Sequence, residues 1–95
     1  MSTEITVVAT ITARSGYRAE VEQALRKVER EVQQEPGCEQ YQLYVSRDND
    51  HQFVMIERWQ SEAMLAQHSQ AEPFQALSRA IEDKADLEVV TLGRV

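Results

Sequence analysis

Three segments of this chain set apolar residues side by side where a half-wet β-sheet would alternate them: Val7-Val8, Phe53-Val54-Met55-Ile56 and Val89-Val90. Successive side chains of a strand point to opposite faces, so each of these segments needs cover on both sides. Whatever sheet they form must be packed from two directions.

The rest of the pattern says what can supply that cover. Glu4 to Ala13 is rich in β-branched residues and reads as a strand, ended by the turn residues Arg14-Ser15-Gly16. From Tyr17 to Glu35, Val21, Leu25, Val28 and Val32 recur at helical spacing opposite a charged, solvated face. Pro36-Gly37 ends that helix. Cys38 to Ser46 and Gln52 to Gln60 read as two strands around the polar loop Arg47-Asp48-Asn49-Asp50-His51. Ser61 can cap a helix over Glu62 to Gln70. Pro73 suits a first helical position, and Phe74, Leu77 and Ile81 carry a helical stripe to about Asp83. Leu87 to Leu92 closes the chain as a strand.

Strand, helix, strand, strand, helix, strand is the βαββαβ order of the ferredoxin-like α+β fold: two split crossovers joined by a hairpin, giving a four-stranded antiparallel sheet with its helices on one face. Those helices cover one side only. A second copy of the same sheet is the simplest cover for the other, so the pattern predicts a homodimer packed sheet to sheet. Length agrees. The 95 residues make one domain, residues 1–95, and a chain this short buries only about two-thirds of its unfolded surface.

Charge and composition exclude several functions. The 16 acidic residues outnumber the 10 basic ones, for a net charge of −6, and no basic stripe is interleaved with aromatics; nucleic-acid binding is not expected. Cys38 is the one cysteine, so neither an internal disulfide nor a Cys-cluster metal site can form. No apolar run reaches the roughly 20 residues of a membrane span. Met1-Ser2-Thr3-Glu4 lacks the features of an export signal. A reduced, cytoplasmic protein is the expectation.

Glu35-Pro36-Gly37-Cys38 followed by Tyr41, and Met55-Ile56-Glu57-Arg58-Trp59 followed by Ser61, Glu62, Ala63, Leu65, His68 and Pro73-Phe74, resemble two segments of the antibiotic biosynthesis monooxygenase (ABM) family. Thr10 to Gly16 is similar to its first strand and turn, so the resemblance spans essentially the whole chain. It implies a dimeric α+β barrel, one ligand cavity per subunit between helices and sheet, and, in the oxygenase members, no organic cofactor and no metal. The activity it implies is oxygenation of a quinol or polycyclic phenol by O2. Other branches degrade haem or process a phosphorylated signalling sugar. Where the haem branch carries an Asn, a Trp and a haem-ligating His, this chain has Ala9, His68 and Ser78, which argues against haem degradation.

The residues themselves leave more than one role open. His68 lies one turn after Met64 and Leu65 on an apolar helix face. A lone His there is commonly a packed core residue; the resemblance makes it the candidate catalytic base, and imidazole chemistry suits proton transfer with a phenol. Glu57 shares a strand face with Phe53, Met55 and Trp59, and needs either a partner or a raised pKa. A salt bridge or hydrogen bond across the dimer interface is the structural expectation for it, and substrate contact the functional one. Trp59 can be a core anchor or a stacking wall. Tyr44, Met64, Phe74 and Leu77 can line a flat cavity or simply fill the core. His51 sits in a polar loop. The sequence offers neither a Gly-rich dinucleotide loop nor a facial metal triad. Beside the quinol oxygenase stand two alternatives: an isomerase or signal-processing enzyme, and a non-catalytic binding or oligomerisation module.

Overall fold

A computed structural model describes residues 3–95; Met1 and Ser2, which open the stretch read for an export signal, lie outside the described residues. The elements are β1 (Ile5–Ala13), α1 (Arg18–Val32), β2 (Cys38–Val45), β3 (Gln52–Trp59), α2 (Glu62–Gln70), α3 (Glu72–Ile81) and β4 (Ala85–Gly93). The four strands form one antiparallel sheet in the order β2-β3-β1-β4, the ferredoxin-like arrangement.

Boundaries follow local chemistry. α1 stops at Val32, three residues before the end expected from the sequence, because Glu35 precedes Pro36 and that position disfavours helix. The last strand is longer than expected, because Ala85 and Asp86 already pair with Ala13 and Thr12. α2 and α3 are separated by one extended residue, Ala71, with Pro73 in the first turn of α3.

Alternation along the strands divides the sheet into two faces. Val7, Ala9, Ile11 and Ala13 of β1, with Phe53, Met55, Glu57 and Trp59 of β3, are buried on the helix side. There they meet Val21, Leu25, Val28 and Val32 of α1 and Leu77 and Ile81 of α3, which form one hydrophobic core with them. On the far side, Val8 pairs with both Ile56 and Val90, and Val54 pairs with Tyr44 and Thr10. That far face keeps an apolar centre, in which Tyr44, Val90 and Leu92 are about half exposed.

The helices do not cover the whole inner face either. Leu87 and Val89 of β4 point to the helix side, opposite Ile11 and Ala9, yet remain 46% and 51% exposed. α1 instead leans over β2. Glu29 accepts a hydrogen bond from the Leu43 backbone N–H (2.8 Å), and Gln33 donates to the Tyr41 carbonyl (2.6 Å). These contacts occupy the outer edge of β2 and fix the strand that carries Tyr41. Among the described residues, no helix is long and apolar enough to cross a membrane.

Candidate active site

Between the inner face of the sheet and α2–α3 lies a small, mostly apolar cavity of about 90 Å3 that opens to solvent at its mouth. Its mouth lies beside the uncovered Leu87 and Val89. The polar side chains lining it are Tyr41, Glu57, His68 and Ser69.

Helix α2 sets the position of His68. Ser61 caps the helix by accepting from the Met64 N–H (3.3 Å), and Gly37, in the turn before β2, packs directly beneath Met64. Gly37 has φ +77°, and a Cβ there would overlap Met64 Cγ. The Gln60 N–H also donates to the Gly37 carbonyl (2.8 Å). The Glu35-Pro36-Gly37-Cys38 turn therefore holds the start of α2 from below.

The same turn supplies a carboxylate. Glu35 Oε1 lies 2.8 Å from His68 Nδ1, and His68 is only 3% exposed. The imidazole stacks on Trp59 (centroids 4.5 Å apart, 27° between planes) and meets the edges of Tyr41 at 5.5 Å and Phe74 at 5.4 Å. Its orientation is thus fixed from several sides. With Nδ1 on Glu35, Nε2 is the nitrogen left without a protein partner among the described residues. Glu35 Oε2 is buried and unpartnered among those residues.

Glu57, 5% exposed, accepts one hydrogen bond, from Trp59 Nε1 at 2.9 Å. Burial pushes its carboxyl up to about 7, opposed by the Trp59 N–H and reinforced by the nearby Glu35 carboxylate. Burial also drives the Tyr41 phenol well above its ordinary value, helped by Glu57 and Glu35. The Cys38 thiol is raised by burial and by the same two carboxylates. The cavity therefore holds groups of two kinds: an imidazole braced by a carboxylate, and a carboxyl and a phenol that burial favours in their neutral forms. One can accept a proton while the others donate hydrogen bonds.

Of the residues singled out in the sequence, His68, Glu57, Phe74 and Leu77 line this cavity. Three others take different places. Tyr44 faces away, half exposed on the far side of the sheet, with its hydroxyl on Gln42 (3.1 Å). Met64 is packed against the core beside Gly37 rather than lining the cavity. Trp59 is fully buried behind His68, so it supports the imidazole instead of forming a wall of the cavity. The interface partner expected for Glu57 is replaced by the indole two residues along the same strand, because the Glu57 face is the one packed under the helices. His51 sits in the loop against Asp50 (2.9 Å).

Glu35 and Tyr41 complete the site, although the sequence marked them only as parts of a motif. The available signal was composition: a Glu before Pro-Gly and an aromatic near the start of a strand whose partner carries an acid. Among the described residues, no three His, Cys, Asp or Glu side chains gather closely enough to hold a metal ion.

A ferredoxin-like sheet with an imidazole-bearing cavity under its helices defines a class of small α+β domains able to handle a small molecule. The sequence pattern of the antibiotic biosynthesis monooxygenase family matches residues 4–80, and the chain belongs to that family. Among solved structures it is similar to PA3566 from Pseudomonas aeruginosa (38% identity, TM-score 0.93, covering 100% of this chain and 97% of that one). It is also similar to an antibiotic biosynthesis monooxygenase (29%, TM-score 0.89, 96% and 98% covered). A Caulobacter crescentus protein assigned to the same monooxygenase class shows 27% identity and a TM-score of 0.89, with 99% and 92% covered. No match is found among curated proteins.

Proposed function

We propose that this chain is a monooxygenase that oxidises a quinol or polyphenol with O2, using His68 as the base and no organic cofactor or metal. One observation carries the reading. A buried imidazole, braced through Nδ1 by Glu35, borders an apolar cavity with its other nitrogen free of protein partners among the described residues. Family membership and the monooxygenases among its structural relatives support the reaction class.

The chemistry follows from the substrate. Ground-state O2 reacts slowly with closed-shell molecules, but a phenolate is electron-rich enough to pass it one electron. His68 Nε2 takes the phenolic proton; the phenolate reduces O2 by one electron, and the two radicals join at a ring carbon bearing hydrogen. The His68 imidazolium returns its proton to the peroxide; the carbon then loses its own proton as the O–O bond breaks, and the departing hydroxide takes up that proton and leaves as water. Overall, a phenol with one ring C–H plus O2 gives a quinone plus water. The protein's part is a dry cavity, a positioned base and stabilisation of the anion. The cavity is open rather than filled by its own side chains, which favours a ligand-handling role over a pure oligomerisation module.

The assembly we propose is a homodimer, packed through the far face of the sheet around Val8, Val54, Ile56 and Val90 and acting in the cytoplasm. The support is the apolar centre of that face, which no helix among the described residues covers.

Oxygen uptake tests the activity. Wild-type protein screened against quinols and polyphenols is expected to consume O2 in step with quinone formation. His68→Ala is expected to lower the rate about 100- to 10,000-fold while keeping its fold. Near-normal uptake by a clearly destabilised His68→Ala protein would reduce His68 to packing.

A further inference from the structure

Tyr41 and Glu57 are directly opposed across neighbouring strands: their Cα atoms are register partners, and both side chains lie on the helix-facing side of the sheet. They are 2% and 5% exposed, and both line the cavity that His68 borders. Neither has a role in the proton transfer assigned above. Facing pairs of this kind stand about 4.5–5.5 Å apart at Cβ, close enough to reach one small atom between their tips.

If His68 removes a proton from a bound hydroxyl, an oxygen anion is left in an apolar cavity, which is costly unless donors meet it. Among the described residues no Lys or Arg lines this cavity. The Ser69 hydroxyl is committed to the Leu65 carbonyl (3.1 Å) and His68 Nδ1 to Glu35 (2.8 Å). The Tyr41 hydroxyl has no protein partner among the described residues. On Glu57 the Trp59 N–H occupies Oε1 and leaves the other oxygen free of protein partners among the described residues. Beside His68 Nε2 once it has taken the proton, these two groups are the donors left for a bound oxygen among the described side chains.

We propose that Tyr41 and Glu57 form a two-donor site that receives the substrate's oxygen as His68 deprotonates it, so that the cavity selects neutral, weakly acidic hydroxyls such as phenols and enols. The inference rests on the reading of His68 as a base and deepens it. Below about pH 7 burial supplies the required protonation: both groups are shifted toward their neutral, donating forms, and the Trp59 N–H on Oε1 leaves Oε2 as the natural seat of the Glu57 proton. A neutral carboxyl beside a phenol in an apolar site can stabilise an oxyanion without a net positive charge. With no Lys or Arg lining it among the described residues, the apolar cavity also disfavours ligands that arrive already ionised, such as carboxylates and phosphates.

Binding, without any oxygen chemistry, tests this. The probe is 4-nitrophenol, whose phenolate has its own visible band; nitrobenzene, which lacks the hydroxyl, is the control of similar shape. Wild-type protein is expected to bind 4-nitrophenol and to raise the nitrophenolate band. Tyr41→Phe and Glu57→Leu, each of which removes a donor, are each expected to weaken nitrophenolate binding about 10- to 100-fold. Nitrobenzene affinity should stay within about threefold in both variants, showing that the cavity is intact. Equal losses for both probes, an unchanged nitrophenolate affinity in either variant, or no binding of 4-nitrophenol by wild type would each overturn the proposal. Failure of oxygen uptake alone would fall on the proposed reaction and leave these binding outcomes standing.

Discussion

Glu57→Gln is a substitution whose effect on stability can be worked out from the structure, including its sign. The carboxyl would ionise near 4.5 in an ordinary setting and is pushed up to about 7 here, mainly by burial. Between those values the folded chain holds a proton that the unfolded chain has released. Stability from this group is therefore fully present below about pH 4.5 and is lost as pH rises through about 7. At roughly 1.4 kcal/mol per pKa unit, the loss amounts to about 3 kcal/mol. Glutamine has nearly the same shape, can accept the Trp59 N–H through its carbonyl, and does not ionise. Urea unfolding of both proteins, at equal concentration and at about pH 4 and about pH 8, reads the difference directly. Every other ionisable side chain is the same in both proteins, so contributions from groups that do not touch Glu57 largely cancel when the two are subtracted. The mutant's stability relative to wild type should rise by about 3 kcal/mol from the acidic to the alkaline condition. Parallel pH profiles would refute the reasoning and mean that the Glu57 carboxyl ionises in the folded protein as it does in the unfolded one.

Two other perturbations probe what positions the site. Gly37→Ala is expected to cost about 2 to 4 kcal/mol, because a left-handed backbone and an overlap with Met64 are imposed together. Adding Met64→Ala should relieve the overlap but not the backbone part, so the double mutant should be more stable than the sum of the two single losses; strict additivity in urea unfolding would count against the contact. Assembly is checked by light scattering coupled to size exclusion, which should give the mass of a dimer at micromolar concentration. Val8→Lys, which sets a charge at the centre of the far face, should lower that mass or abolish folding. A folded wild-type monomer would remove the sheet-to-sheet interface.

The fold was legible because each element is specified locally and the specifications agree. The β-branched run at Ile5–Ala13, the helical recurrence of Val21, Leu25, Val28 and Val32, and the Pro36-Gly37 stop each point to one structure. The site was legible only in part. His68 and Glu57 could be assigned to faces by counting, since their elements are regular. Tyr44 could not. Cys38 lies opposite Trp59 and Gln40 opposite Arg58, so β2 carries one extra residue, a bulge at Glu39. Counting every second residue from Cys38 places Tyr44 on the inner face. The bulge reverses that parity, turning Tyr41 inward and Tyr44 out.

Glu35 escaped for a different reason. Its partner His68 lies 33 residues further along the chain, so no periodicity links them, and their contact exists only because Gly37 lets the turn press against α2. The bulge and the glycine thus act on the same cavity from opposite sides. One turns Tyr41 toward the space in which His68 sits, and the other brings Glu35 up behind the imidazole. A change at either position would leave the βαββαβ order and the core face of α1 intact while separating the donors from the base. For this reason the fold and the chemistry are separable here: the apolar pattern specifies the sheet and its helices, whereas two local irregularities, neither part of that pattern, decide which polar groups share the cavity.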